Sequence, residues 1–120
     1  MSRELVILSP RPIDLADHLM AAVEIDPNLG VRTVWSGGGT QVCSADGTAL
    51  VTVLATKGFD VADDVERLLG VRLAAGQVFW TELYAPRGAA GEPGEAIARA
   101  IADLVEGELF VRASGGVEHA

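Results

Sequence analysis

The chain has 120 residues, 49% of them hydrophobic, and a formal charge of −8 at pH 7. This length suits one domain that buries roughly two-thirds of the surface its unfolded chain exposes, and the apolar content excludes a disordered chain. The negative field disfavours nucleic acid as a partner, because the nine basic residues are scattered and form no cluster for a phosphate backbone.

The longest apolar runs, such as Leu5, Val6, Ile7 and Leu8, fall far below the ~20 residues of a bilayer-spanning helix. The first residues also lack the layout of a signal peptide. We therefore expect a soluble, cytoplasmic protein with no membrane contact. Cys43 is the only cysteine. That excludes an internal disulfide and a zinc site built from several cysteines, and only His18 and His119 could add imidazoles.

In chain order, residues 5–8 are apolar on both faces, as a doubly covered central strand requires. Ser9, Pro10, Arg11 and Pro12 break that strand. A helix over residues 14–25 follows, with Asp14 as N-cap and Asp17 in the first turn. Its core stripe reads Leu15, Leu19, Ala22 and Val23. Pro27 and Gly30 stop it. Residues 31–36 read as a strand and residues 37–39 as a glycine turn. Residues 40–45 and 48–56 then read as a hairpin, closed by Asp46-Gly47 in a type I′ turn. Asp60 caps a predicted short helix that carries Val61, Val65, Leu68 and Leu69 on one face, and Gly70 closes it.

Residues 77–85 alternate as a strand, with Trp80 and Tyr84 on one face and Phe79 and Leu83 on the other. Residues 86–94 form a loop. Ile97, Ile101, Leu104 and Val105 mark a third amphipathic helix, stopped by Gly107, and residues 109–112 form the last strand. Residues 1–113 thus make a single α+β domain of order β-α-β-β-β-α-β-α-β. We expect a mixed, mainly antiparallel sheet packed against three helices. Residues 114–120 are expected to be a flexible, fraying tail. The meander followed by helix, strand and helix resembles the general layout of secretion-chaperone-like domains. The likeness is one of layout, with no residue pattern behind it.

No catalytic motif stands out. Gly88, Gly91 and Gly94 precede a helix and, with Arg87, suggest a phosphate cradle. Glu92 and Glu95 would repel an anion there, and neither Gly-Lys-Ser/Thr nor a dinucleotide fingerprint is present, so a flexible surface loop is the better reading. Asp60, Asp63, Asp64 and Glu66 lack the EF-hand spacing and suit a helix N-terminus. His18 beside Asp17 has no positioned serine, with Ser36 and Ser44 the only mid-chain ones, and reads as an exposed helix histidine. Cys43 reads as a small buried thiol.

The best candidate surface is Trp80, Glu82 and Tyr84 on one strand face, with Arg87 beyond its end. A carboxylate between aromatics could act as a general acid or base, or recognise a cation. Yet no second catalytic group accompanies it. The leading expectation is therefore a non-enzymatic protein-interaction module, homodimeric or an adaptor, with a protein or itself as partner and no cofactor. Trp35 or Trp80 on an exposed face would mark that contact. The alternative is a small-molecule-binding domain or small enzyme with a pocket near Trp80, Glu82, Tyr84 and Arg87.

Overall fold

The structure is a computed structural model that describes residues 2–59, 78–113 and 116–119. Its elements are β1 (Ser2–Ser9), α1 (Leu15–Ile25), β2 (Gly30–Val34), β3 (Gly39–Cys43), β4 (Ala49–Leu54), β5 (Lys57–Phe59), β6 (Val78–Pro86), α2 (Glu92–Leu104), β7 (Glu108–Ala113) and β8 (Gly116–His119). The eight strands form one sheet in the order β2-β3-β4-β6-β1-β7-β8, with β5 also on β6. Every pairing among the described residues is antiparallel. The chain is a single α+β domain.

The uninterrupted apolar run of β1 dictates its place. It lies between β6 and β7, and Leu5, Val6, Ile7 and Leu8 are all buried. Leu5 and Ile7 face the helices and pack with Leu83, Val51 and Val53 from neighbouring strands and with Ile97 and Ile101 of α2. Val6 and Leu8 point to the other face, where Trp80 and Phe110 are also buried. α2 has the amphipathic pattern expected of it: Ile97, Ala98, Ile101 and Ala102 are buried, and Glu92, Arg99 and Asp103 are exposed.

Five expectations need correction or placing. The Asp46-Gly47 hairpin is not a type I′ turn. Only Gly47 of the pair has positive φ, at 87°. The Gly47 N–H donates to the Ser44 carbonyl at 2.9 Å and the Ser44 N–H to the Thr48 carbonyl at 2.9 Å. This is a three-residue loop with Gly47 in the left-handed position. The Asp46 carboxylate selects it by accepting from the Thr48 N–H at 3.0 Å and from the Ser44 hydroxyl. These donors hold the Asp46 carboxyl down at about 2.

The strand predicted over residues 31–36 stops at Val34, because Trp35 and Ser36 adopt φ of 51° and 53°. Gly116–His119, in the segment expected to fray, forms β8 and pairs with β7 from Ala113↔Gly116 to Phe110↔His119. The described residues hold two helices. The helix expected after Asp60, and the cluster Asp60, Asp63, Asp64 and Glu66, lie outside them.

The fifth expectation concerns which way α1 faces. Asp17, His18, Ala21 and Ala22 are buried, whereas Leu15, Leu19 and Val23 are 47%, 43% and 51% exposed. Polar contacts at the N-terminus fix this orientation. Asp14 and Asp17 form a reciprocal capping box, with N···O distances of 3.0 and 2.9 Å. The Arg11 guanidinium then grips the Asp17 carboxylate at 2.9 and 2.8 Å. The hydrogen bonds from Arg11 hold the Asp17 carboxyl at about 2, despite its burial. Thr56, whose hydroxyl lies 2.7 Å from that of the buried Thr81, accepts from the Ile13 N–H at 3.3 Å and ties the approach to α1 to the sheet. Ala21 and Ala22 then join the same core as Ala98 and Ala102 of α2. Small residues on both helices permit a close approach, and the bulkier stripe is left facing out.

Candidate functional site

Alternation along β6 places Trp80, Glu82 and Tyr84 on the face opposite the helices. There they meet. The Trp80 indole donates to Glu82 Oε1 at 3.2 Å and the Tyr84 hydroxyl donates to Glu82 Oε2 at 3.0 Å. The cation beside them is Arg112, not Arg87. The register β6-β1-β7 sets Tyr84 and Arg112 on either side of Glu4. Arg112 Nη1 lies 3.9 Å from Glu82 Oε1, and its guanidinium carbon sits 5.6 Å from the centre of the Trp80 ring. Arg87 is exposed at the turn after β6. Burial, followed by the hydrogen bond to Glu82, raises the Tyr84 hydroxyl above its ordinary pKa.

The Glu82 carboxylate thus has an indole, a phenol and a guanidinium directed at its two oxygens. It gathers those donors, two from β6 itself and one that reaches it from β7 across β1. A polar row continues from it across the sheet. Arg32 Nε donates to Gln41 Oε1 at 2.8 Å, Gln41 Nε2 donates to Thr52 Oγ1 at 3.2 Å, and Thr52 stands opposite Tyr84. The β4–β6 ladder covers Thr52↔Tyr84 and Val53↔Leu83. Beyond it lies an open hollow of about 360 Å³, lined by Leu50, Val51, Thr52, Tyr84 and Pro86 among others.

The cluster gives a direct prediction. Glu82→Gln should destabilise the fold by about 1–2 kcal/mol, since hydrogen bonds to a charged acceptor are worth about that when partly exposed. Tyr84→Phe, which removes one donor, should show a smaller loss. Urea denaturation reads both, and an unchanged midpoint for Glu82→Gln would contradict the cluster's role.

The other candidates are distributed as follows. The glycine loop is a 3-10 turn, Gly88–Gly91, exposed except at Gly91. Arg3 reaches it from β1, donating to the Gly88 carbonyl at 3.0 Å and to Glu95 Oε1 at 3.1 Å. Arg3, the cation that reaches the loop, is already paired with the Glu95 carboxylate, while Arg87, the cation expected to serve an anion there, is exposed. Cys43 is buried. No group of three or more His, Cys, Asp or Glu side chains suited to a metal ion occurs among the described residues. None of the described helices is long and apolar enough to cross a membrane.

His18 departs from expectation. It is 5% exposed, and neither ring nitrogen has a hydrogen-bond partner among the described residues. Burial lowers its pKa below the usual value, against the opposing fields of Asp17 and Asp14. The helix carries it inward because it shares a face with Ala21 and Ala22.

The outer face of α1 is the surface that sequence reasoning assigned to the core. Leu15, Leu19, Met20 and Val23 are roughly half exposed, and Met20 reaches 59%. α2 turns charged and small residues outward; the outer side of α1 is apolar from its first turn to its last, apart from Glu24. Its composition held a clue, since only Asp17, His18 and Glu24 of its eleven residues are polar. With two of those three buried, an apolar face had to be left outside. Trp35, 65% exposed, stands apart from α1. Its ring lies against Gly39, where a β-carbon would approach it to 2.8 Å, on the sheet face opposite the helices. Comparison with protein-family models, curated proteins and solved structures yields no match.

Proposed function

We propose that this chain is a non-enzymatic protein-interaction module, an adaptor or chaperone-like domain, and that it docks a partner through the outer face of α1. The observation that supports this reading is the exposed stripe Leu15, Leu19, Met20 and Val23 on a helix whose opposite face is already packed. Contiguous apolar surface of this kind marks interaction sites on folded chains. Covering each half-exposed side chain recovers about 1 kcal/mol, so the stripe offers about 4 kcal/mol before the cost of association. The Glu82 cluster fits this reading too, because its hydrogen bonds join it to its own strand neighbours.

The experiment uses Leu19→Asp combined with Val23→Asp. These exposed positions should tolerate the change with a loss below about 1 kcal/mol in urea denaturation, while retention on a hydrophobic-interaction column falls. A loss of several kcal/mol would place these side chains inside the folded core and end the proposal. The hollow beside Tyr84 favours a second reading, the small-molecule site. A ligand there would shift the amide resonances of Thr52 and Tyr84, and a fragment library that moves neither removes it.

A further inference from the structure

We propose that the outer face of α1 docks an amphipathic helix whose apolar stripe is flanked by lysine or arginine. This rests on α1 being a docking face and names the occupant. The argument is one of charge. The rim of the stripe carries Asp14 at one end and Glu24 and Asp26 at the other. The last turn of α1 holds no basic residue, so Glu24 sits at the negative end of the helix dipole, where a cation belongs. No cation among the described residues pairs with Glu24 or Asp26. Arg11, the basic residue nearest to α1 in sequence, is held by Asp17 at 2.8 Å and also feels the field of Glu106.

A second copy of the chain fits this rim poorly. Antiparallel pairing of two α1 helices would set Asp14 against Glu24 and Asp26, and parallel pairing would set Glu24 against Glu24. Like charges meet either way, and such juxtaposition selects against a partner. The same acidic rim opposes an anionic bilayer. A helix with a matching apolar stripe and basic flanks would cover the leucines and supply the missing cations together.

The test uses the full chain and three fluorescent amphipathic peptides that share one leucine stripe, flanked by lysine, glutamine or glutamate. Anisotropy titration should find the lysine peptide binding roughly tenfold tighter than the glutamate peptide, with the advantage shrinking in high salt. The combined change Leu19→Asn and Val23→Asn, which leaves the charge untouched, should abolish binding. Glu24→Gln with Asp26→Asn should weaken the lysine peptide alone. If the lysine peptide binds the double-asparagine variant as well as the parent, attraction is general and the proposal falls. Equal binding of all three peptides overturns the basic partner and leaves α1 as a docking face. So does sedimentation of the free chain as a dimer that the double-asparagine variant splits. A monomer that binds no peptide overturns both.

Discussion

Gly94→Ala should destabilise the protein, by about 2–3 kcal/mol, although alanine is the better helix former by about 1 kcal/mol. Gly94 lies in the first turn of α2 and is buried. A β-carbon there would come within 2.2 Å of the Leu50 carbonyl oxygen and 2.9 Å of the Ala85 β-carbon. Backbone and a strand methyl cannot swing aside as a flexible side chain could, so the start of α2 would have to lift away from β4 and β6. Gly91→Ala should behave alike, because its β-carbon would lie 1.8 Å from the Pro86 carbonyl oxygen. Urea denaturation decides the sign. A gain in stability for either variant would mean that the turn is loose, as an unpacked glycine loop would be.

Replacing His18 with leucine should stabilise the protein by about 1–3 kcal/mol, the penalty of a buried polar group without a partner. The effect should grow in acid. In the unfolded chain the imidazole titrates near its usual value of 6.5, and burial lowers it in the folded protein. As pH falls below 6.5, the unfolded chain takes up a proton that the folded chain refuses. Stability therefore drops by up to about 1.4 kcal/mol per pH unit until the folded-state pKa is reached. The leucine variant lacks this slope. Asp17 acts in a separate window. Its carboxyl, held at about 2 against the ordinary 3.8 of an unfolded chain, contributes stability above 3.8 that is lost as pH falls towards 2. Parallel stability curves for parent and His18→Leu between pH 7 and 5 would contradict the burial of an unpartnered imidazole.

The fold was readable where one residue pattern had one solution. The apolar run of β1 could only be a doubly covered strand, Asp14 suited an N-cap with Asp17 in the first turn, and α2 had a single apolar face. α1 was misread because it offers two faces that a core could accept. Leu15, Leu19 and Val23 are the more hydrophobic, and periodicity chooses them. Packing chose Ala21 together with Ala22, the one member of the expected stripe that is buried, because small side chains let the two helices approach and because Arg11 pins Asp17 on the inner side. His18 followed its helix face inward, a consequence invisible until the orientation was known. At the Glu82 cluster, alternation alone aligned Trp80, Glu82 and Tyr84. Arg112 was hidden because it lies beside them only through the register of β1 with β6 and β7. The hairpin type turned on the Asp46 side chain, which prefers bonds to Ser44 and Thr48 over the positive φ that a type I′ turn demands.

These corrections meet in one surface. The polar contacts that seat α1 also turn its bulkiest residues to solvent, so the proposed docking face is a product of the fold itself. Methyl-resolved NMR of the full chain, titrated with the lysine-flanked helical peptide, tests this most directly. The methyl resonances of Leu15, Leu19, Met20 and Val23 should shift together, with those of Leu83 and Ile101 unmoved. Movement confined to Thr52, Tyr84 and the Trp80 indole, with the α1 methyls unchanged, would contradict it.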